Sequence, residues 1–270
     1  MPFYLAVTPD HLPSALALTP HLAHVAYRVT VEGTLLAQDL PSALRGGAMV
    51  VECTDLFSPT AAEPLSRTIM NHCLCRNFSG IILDAPETAG SALVELARQM
   101  QSLCTTYRRR LYLPEPYADA APDSTALLCT ALSGGSLAQR LEEACTRHGA
   151  EHIALDLQRL MMEFPLPCPI GEGTPLTREA LGQRQQGAAV YYCSELCARY
   201  FTRRHGSSTR FVLFDDADTL RRKWELAQAL GIADAFVMWP EVEDIAEMLF
   251  DANNVLDAKK MPNAKKEGEP

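Results

Sequence analysis

Eight short apolar runs alternate with helical segments along this chain of 270 residues. The runs are rich in Val, Ile, Leu and Tyr and largely lack polar alternation, as expected for parallel strands that are covered on both faces. Amphipathic stretches with helix start and stop signals lie between several of them, at 91–107, 136–149 and 220–231. The apolar runs occupy residues 3–7, 23–29, 49–53, 80–84, 111–113, 125–130, 152–157 and 235–239. This order predicts an α/β fold, a (β/α)8 TIM barrel, with a Rossmann-like sheet as the alternative.

Residues 188–214 depart from the alternation. The runs 189–193, 198–202 and 210–214 resemble short antiparallel strands, and a turn-forming segment at 205–209 separates the last two. We therefore expect a barrel over residues 1–250, with a small antiparallel hairpin inserted before the last helix and the last strand. The segment 251–270 is too polar to pack and is expected to be a disordered tail.

Signals for cofactors and metals are missing from the sequence. No GxGxxG follows the first run, and no GxxxxGK motif ending in Ser or Thr occurs, which disfavours a nucleotide-binding sheet. The cysteines lack the paired spacing of a structural zinc site. We expect neither a cofactor nor a metal ion.

Charge and hydropathy restrict the partners. The net charge of −9 argues against a nucleic-acid surface, and the basic run at 108–110 is explained as a solvated helix end. The sequence has no signal-peptide pattern and no apolar stretch long enough to span a membrane. Most of the 9 cysteines lie in apolar runs, which suits a reducing compartment. We expect a cytoplasmic protein that binds neither nucleic acid nor membrane.

Candidate functional carboxylates follow three predicted strands. The fourth run delivers Asp84 to its C-terminal end and is broken by Pro86, and Glu87 follows directly. Glu115 and Asp156 also lie at predicted strand ends, where barrel enzymes carry their catalytic groups. The alternative explanation is that Glu115 is a solvated loop charge and that Asp156 is paired with a base such as Arg159.

Two C-terminal stretches carry a resemblance to a known family. The sequence FVLFDDADTL at 211–220, followed by a helix and then GIADAFVMW at 231–239, resembles the end of chitinase-type family 18 glycoside hydrolases. Residues 163–180 resemble the loop after the seventh strand in the branch that contains spore-cortex and peptidoglycan N-acetylglucosaminidases, and residues 25–34 resemble that branch's second strand and the turn after it. The resemblance extends to about residue 244. It implies a glycosidase barrel whose last strand ends in a tryptophan, here Trp239, and the ring of this tryptophan forms the floor of the sugar-binding site.

The resemblance also implies a catalytic motif on the fourth strand, and this chain departs from it. The family pattern runs aromatic, Asp-Gly, aliphatic, Asp or Asn, aliphatic, Asp, aromatic and catalytic Glu. Ser79 and Ile82 replace the first two acids, and Pro86 stands in place of the Glu. The positions that agree with the pattern are Phe78, Gly80, Ile81, Leu83 and Asp84.

In that family the sugar's own acetamido group attacks the anomeric carbon, the Glu protonates the leaving oxygen, and the Asp two residues earlier orients the acetamido group. Residues two apart on a strand share a face, whereas Glu87 is three residues from Asp84 and would need a kink at Pro86. We therefore expect a lost or altered general acid rather than a displaced one at Glu87.

This chain also departs from the family pattern at other positions near the C-terminal ends of the barrel strands. Asp156 and Gln158 stand where the seventh-strand motif has Gly and Pro, and Glu163 stands where it has Asp. The sequence thus predicts catalytic positions at Asp84 and Glu87, and substrate-binding positions at Glu115, Asp156, Gln158, Glu163 and Trp239. A tryptophan in an apolar strand is explained equally well as a core residue.

Three functions follow as expectations. The preferred one is a catalytically impaired, chitinase-like barrel, cytoplasmic or spore-associated, that binds a GlcNAc-containing glycan (peptidoglycan or a chito-oligosaccharide) or a protein partner. The first alternative is an active glycosidase with a displaced general acid. The second is an unrelated TIM-barrel enzyme that acts on a small intracellular metabolite.

Overall fold

The computed structural model describes residues 3–54, 57–86, 88–168, 173–206 and 208–250. Its strands are, in chain order, β1 (Phe3–Val7), β2 (Leu22–Val29), β3 (Leu35–Ala37), β4 (Ala48–Glu52), β5 (Gly80–Asp84), β6 (Arg110–Pro114), β7 (Thr125–Cys129), β8 (Ile153–Asp156), β9 (Met161–Leu166), β10 (Thr174–Pro175), β11 (Tyr191–Cys193), β12 (Ala198–His205), β13 (Ser208–Phe214) and β14 (Asp234–Met238). Its helices are α1 (Leu12–Leu16), α2 (Ala62–Cys75), α3 (Gly90–Tyr107), α4 (Leu137–His148), α5 (Arg178–Gln185), α6 (Ala217–Ala229), α7 (Trp239–Val242) and α8 (Ala246–Phe250).

Eight parallel strands close into a barrel. They follow the order β1-β14-β8-β7-β6-β5-β4-β2, and a parallel pairing of β1 with β2 joins the two ends. The closed sheet confirms the predicted (β/α)8 barrel and contradicts the open Rossmann-like alternative. The short strand β3 pairs antiparallel with β2 outside the ring.

The helices form where the sequence places apolar stripes and caps. In α3, Leu93, Leu96 and Met100 are fully buried, and the helix ends at Arg108 in a left-handed conformation with φ of 52°. The side chain of Ser136 accepts a hydrogen bond from the Gln139 backbone N–H and so caps α4. These local signals were readable from the sequence, which explains why the helices at 91–107 and 136–149 were predicted correctly.

Side chains alternate between the barrel interior and the outer layer. On β5, Ile82 packs inside the barrel, while Ile81 and Leu83 face the helices. Asp84 therefore points inward at the C-terminal end of the strand. The buried interior consists of Ala6, Ala23, Val25, Ala48, Val50, Ile82, Tyr112, Ala154 and Phe236.

A lobe is inserted between β8 and α6. It contains a five-stranded antiparallel sheet in the order β10-β9-β13-β12-β11, and α5 covers one of its faces. Three of its strands match the runs predicted at 189–193, 198–202 and 210–214. The lobe is larger than the hairpin expected at 188–214, because β9 begins at Met161 and pairs along β13. We define residues 161–214 as the lobe.

The tail predicted at 251–270 lies outside the described residues. Within the part of the chain that is described, no helix combines the length and the apolar character that a bilayer crossing needs.

Candidate functional site

A cavity of about 260 Å³ opens at the C-terminal ends of the barrel strands. We call it the mouth cavity. Its walls combine an apolar floor with a cluster of carboxylates, which is the composition of a site that binds an organic ligand and orients it through a few polar contacts. The apolar lining consists of Ala6, Val50, Ile82, Leu127, Phe236, Val237 and Met238. The polar lining consists of Asp84, Asp156, Gln158 and Glu241.

Asp84 is the last residue of β5 and opens onto the mouth cavity. Its backbone carbonyl accepts a hydrogen bond from the Cys53 N–H at 2.7 Å, which holds the end of the strand in place. The residue as a whole is exposed, but the protein around its carboxyl partly desolvates that group and so raises the pKa of Asp84. The structure thus places Asp84 where the sequence predicted it.

Asp156, the last residue of β8, is the most perturbed acid of the mouth cavity. Burial is the largest cause and raises its pKa to about 7, and the negative charges of Glu241 and Asp84 act in the same direction. The carboxyl has no cationic partner among the residues that the structure describes. Asp156 therefore changes protonation state near neutral pH, as a general acid or base must.

Gln158 orients this acid. Its side-chain Nε2 donates a hydrogen bond to Asp156 Oδ2 at 2.9 Å, while the Cys129 thiol donates to Gln158 Oε1 at 3.4 Å. The bond from the thiol selects the amide orientation in which the NH₂ group faces Asp156. One carboxyl oxygen of Asp156, Oδ1, remains for a ligand.

Glu241 lies on the short helix α7 and was missed by the sequence analysis. Its Oε2 accepts a hydrogen bond from the Arg159 backbone N–H at 2.9 Å, and burial raises its pKa against the opposing effect of Arg159. The ion pair between Asp156 and Arg159 that the sequence left open is not formed. Arg159 instead binds Asp244 at 2.5 Å and the backbone carbonyl of Glu241.

Two other predicted site residues lie away from the mouth cavity. Glu115 forms an ion pair with Arg140 of α4 at 2.6 Å and does not line the mouth cavity. Glu163 lies in the lobe and pairs with Arg184 of α5 at 2.5 Å. Each carboxylate thus has a basic partner of its own. The predicted catalytic residue Glu87 lies outside the described residues.

Trp239 is packed in the layer between the barrel and the helices. Its side chain is 6% exposed, and its ring lies 6.2 Å from that of His11. The alternation along β14 accounts for this placement: Phe236 and Met238 face inward, so the residue after Met238 faces outward. The residues that line the mouth cavity include Phe236 and Met238 but not Trp239.

A buried ion pair connects three segments of the chain. Lys223 Nζ contacts Asp215 Oδ2 at 2.7 Å, and both side chains are completely buried. Lys223 also donates to the Thr130 carbonyl at 3.0 Å, while Asp215 accepts from the Leu160 N–H at 3.0 Å and from the Thr219 hydroxyl at 2.9 Å. The pair thereby joins the loop after β7, the start of the lobe and α6.

The described side chains of the mouth cavity do not form a metal site. Across residues 3–250, apart from the short gaps in their description, no cluster of three or more His, Cys, Asp or Glu side chains is placed to hold a metal ion.

No protein-family model matches the sequence, and no curated protein matches it. Solved structures do match. The spore cortex-lytic enzyme SleL of Bacillus megaterium is 15% identical, with a TM-score of 0.63 over 92% of this chain and 72% of that chain. The chitinase RmChi1 of Rhizomucor miehei is 13% identical, with a TM-score of 0.64 over 96% and 100% of the two chains.

Human YKL-39, described as a pseudo-chitinase with retained chitooligosaccharide binding, is 10% identical. Its TM-score is 0.61 over 94% of this chain and 99% of that chain. At such identities the likeness concerns the fold alone. The molecule is a (β/α)8 barrel with an inserted antiparallel lobe, a fold that it shares with these three structures.

Proposed function

We propose that this barrel binds a GlcNAc-containing glycan in the mouth cavity and that its hydrolytic activity is lost or strongly impaired. The observation that carries the proposal is Pro86. It stands two residues after Asp84, where a substrate-assisted glycosidase of this type needs its proton donor. Proline cannot donate a proton, and general acid catalysis contributes about 10²- to 10⁴-fold to the rate.

The segment that contains Pro86 is held by the protein. The Tyr117 hydroxyl donates a hydrogen bond to the Pro86 carbonyl at 3.0 Å, so the chain after β5 is tied to the turn that follows β6. The contact therefore supports the proposal that the place of the proton donor is taken by proline.

Ligand binding requires no proton donor, and the mouth cavity contains hydrogen-bonding and apolar groups that could hold a sugar. Asp84 faces the mouth cavity and can accept a hydrogen bond from an acetamido N–H. Phe236 and Met238 offer an apolar surface to a sugar face, and the Gln158 amide adds a further hydrogen-bonding group. Human YKL-39, a pseudo-chitinase that retains chitooligosaccharide binding, has the same fold, which supports the proposal of binding without turnover.

Calorimetric titration tests this proposal. Chito-oligosaccharides and soluble peptidoglycan fragments are titrated into the wild-type protein, and hydrolysis of a chromogenic GlcNAc oligomer is followed in parallel. We expect binding without turnover, and a loss of roughly 10- to 100-fold in affinity for Asp84→Asn, since a hydrogen bond to a charged group is worth about 1.5–3 kcal/mol. Glu115→Gln is the matched control, because Glu115 lies outside the cavity. Absence of binding by the wild-type protein refutes the proposal.

One observation favours a second function, an active glycosidase with a displaced general acid. Asp156 shares the cavity with Asp84, and its pKa of about 7 keeps part of the population protonated at neutral pH. Hydrolysis that is abolished by Asp156→Asn, is unaffected by Glu115→Gln and decreases above pH 7 would establish this function in place of the first. Glu87→Gln tests the other displaced acid in the same assay.

A further inference from the structure

A second cavity, of about 470 Å³, lies in the lobe and shares no lining residue with the mouth cavity. We call it the lobe pocket. It is bordered by α5 and by the sheet face that α5 covers. Its lining consists of Glu163, Gln183, Arg184, Arg203 and Arg210. Three guanidinium groups thus meet at one cavity in a chain whose net charge is −9.

The lobe pocket has an excess of positive charge. Among the described residues its single lining carboxylate, Glu163, is engaged with Arg184 Nε at 2.5 Å. Arg203 Nη1 donates to the backbone carbonyls of Gln183 and Arg184 at 3.1 and 3.3 Å, which orient its guanidinium without neutralising it. The side chain of Arg210 has no hydrogen bond or ion pair with the described residues. Two of the three positive charges therefore have no counter-charge among the pocket residues that the structure describes.

The two unneutralised arginines lie directly opposite each other. Arg203 of β12 and Arg210 of β13 are cross-strand partners, and like charges in that register destabilise a sheet. The arrangement becomes favourable when an anion lies between the two guanidinium groups, because each presents N–H donors in a geometry that matches carboxylate and phosphate oxygens. The pocket is also larger than a single inorganic anion needs, and its volume is in the range of small-molecule sites.

We propose that the lobe pocket binds a small organic oxyanion, a sugar-sized molecule that carries a phosphate or carboxylate group, between Arg203 and Arg210. This site is independent of the glycan site in the mouth cavity, and either can exist without the other.

Isothermal titration calorimetry with three probes tests the proposal. Glucose 6-phosphate, glucuronate and glucose share a ring and differ in their anionic group. We expect both anions to bind, the phosphate more tightly, and glucose not to bind. Binding should weaken as the salt concentration rises, since both guanidinium groups are accessible to counter-ions. Binding of glucose as tight as that of the two anions, or no binding of either anion at millimolar concentration, overturns the proposal.

Variants locate the site. Arg210→Gln and Arg203→Gln are each expected to weaken anion binding by roughly 10- to 100-fold, because a charge-assisted hydrogen bond is lost. Arg204→Gln is the matched control, since Arg204 neighbours Arg203 on β12 and its side chain points to the opposite face of the sheet. An equal loss of affinity in Arg204→Gln contradicts the assignment.

Thermal unfolding distinguishes a ligand-binding role of Arg210 from a structural one. Without ligand, Arg210→Gln is expected to unfold at the same temperature as the wild type or at a slightly higher one, because the cross-strand repulsion is relieved. With glucose 6-phosphate, the wild-type transition should move upward while the variant's does not. A lower melting temperature of the ligand-free variant would show that Arg210 serves the lobe's structure, and would refute the proposal.

Discussion

Asp156 destabilises the folded protein at neutral pH, and its replacement by Asn should reveal by how much. The folded protein raises the pKa of Asp156 from its usual 3.8 to about 7, so the folded state holds a proton that the unfolded state releases between these values. The free energy of unfolding therefore falls as the pH rises through this window and stays low above it. The difference between 3.8 and about 7 corresponds to a cost of about 4 kcal/mol above pH 7.

Asp156→Asn removes the charge and keeps an oxygen that can accept the hydrogen bond from Gln158 Nε2. We expect the variant to be more stable than the wild type by less than about 1 kcal/mol at pH 4 and by up to about 4 kcal/mol at pH 8. Removing the charge also relieves its repulsion of Asp84 and Glu241, which acts in the same direction.

Urea unfolding curves at pH 4, 6 and 8 measure the difference between wild type and variant. Glu115→Gln is measured as the control, and its surface ion pair with Arg140 contributes at most about 1 kcal/mol. A variant that is no more stable than the wild type at pH 8, or a difference that does not grow with pH, refutes the view that burial and neighbouring charges raise the pKa of Asp156.

Three further changes test the barrel and the lobe by denaturant unfolding. Lys223→Met should lower the free energy of unfolding by about 3–5 kcal/mol, because it leaves the Asp215 carboxylate buried without its cation; a loss below about 1 kcal/mol would contradict the role given to this pair. Gly47→Ala should be destabilising, since φ is +78° and the added Cβ would lie 2.4 Å from the Leu22 carbonyl oxygen; wild-type stability would show that the turn relaxes freely. Phe201→Ala should cost about 3–5 kcal/mol, because the ring is completely buried in the lobe core, and an effect under about 1 kcal/mol would show that the lobe is loosely packed.

The fold was predictable because it depends on patterns within short windows. Apolar runs without polar alternation indicated the buried parallel strands, and signals such as Ser136 and the stripe at Leu93 and Leu96 indicated the helices. The first lobe strand was not recognised, because Met161–Leu166 contains a proline and its longest pairing, along β13, is with residues more than 40 positions later. Such long-range pairing leaves no local pattern.

The candidate site was predictable in part for the same reason. Asp84 and Asp156 end two barrel strands, and strand ends meet at the barrel mouth, so their convergence follows from the topology. Glu241 reaches the same cavity from a short helix after the last strand, and no strand pattern indicates it. Counting the alternation along β14 from the inward-facing Phe236 places Trp239 on the outer side, although its position at the end of the last predicted strand favoured the mouth.

The complete burial of Lys223 and Asp215 has a consequence for how the two cavities respond to their surroundings. Mobile ions cannot approach a pair that no solvent reaches, so the loops that frame the mouth cavity should keep their arrangement in concentrated salt. The arginines of the lobe pocket are open to counter-ions. Ionic strength should therefore release an anion from the lobe pocket while a neutral glycan stays bound in the mouth cavity, and a salt gradient in a single sample would distinguish the two occupants.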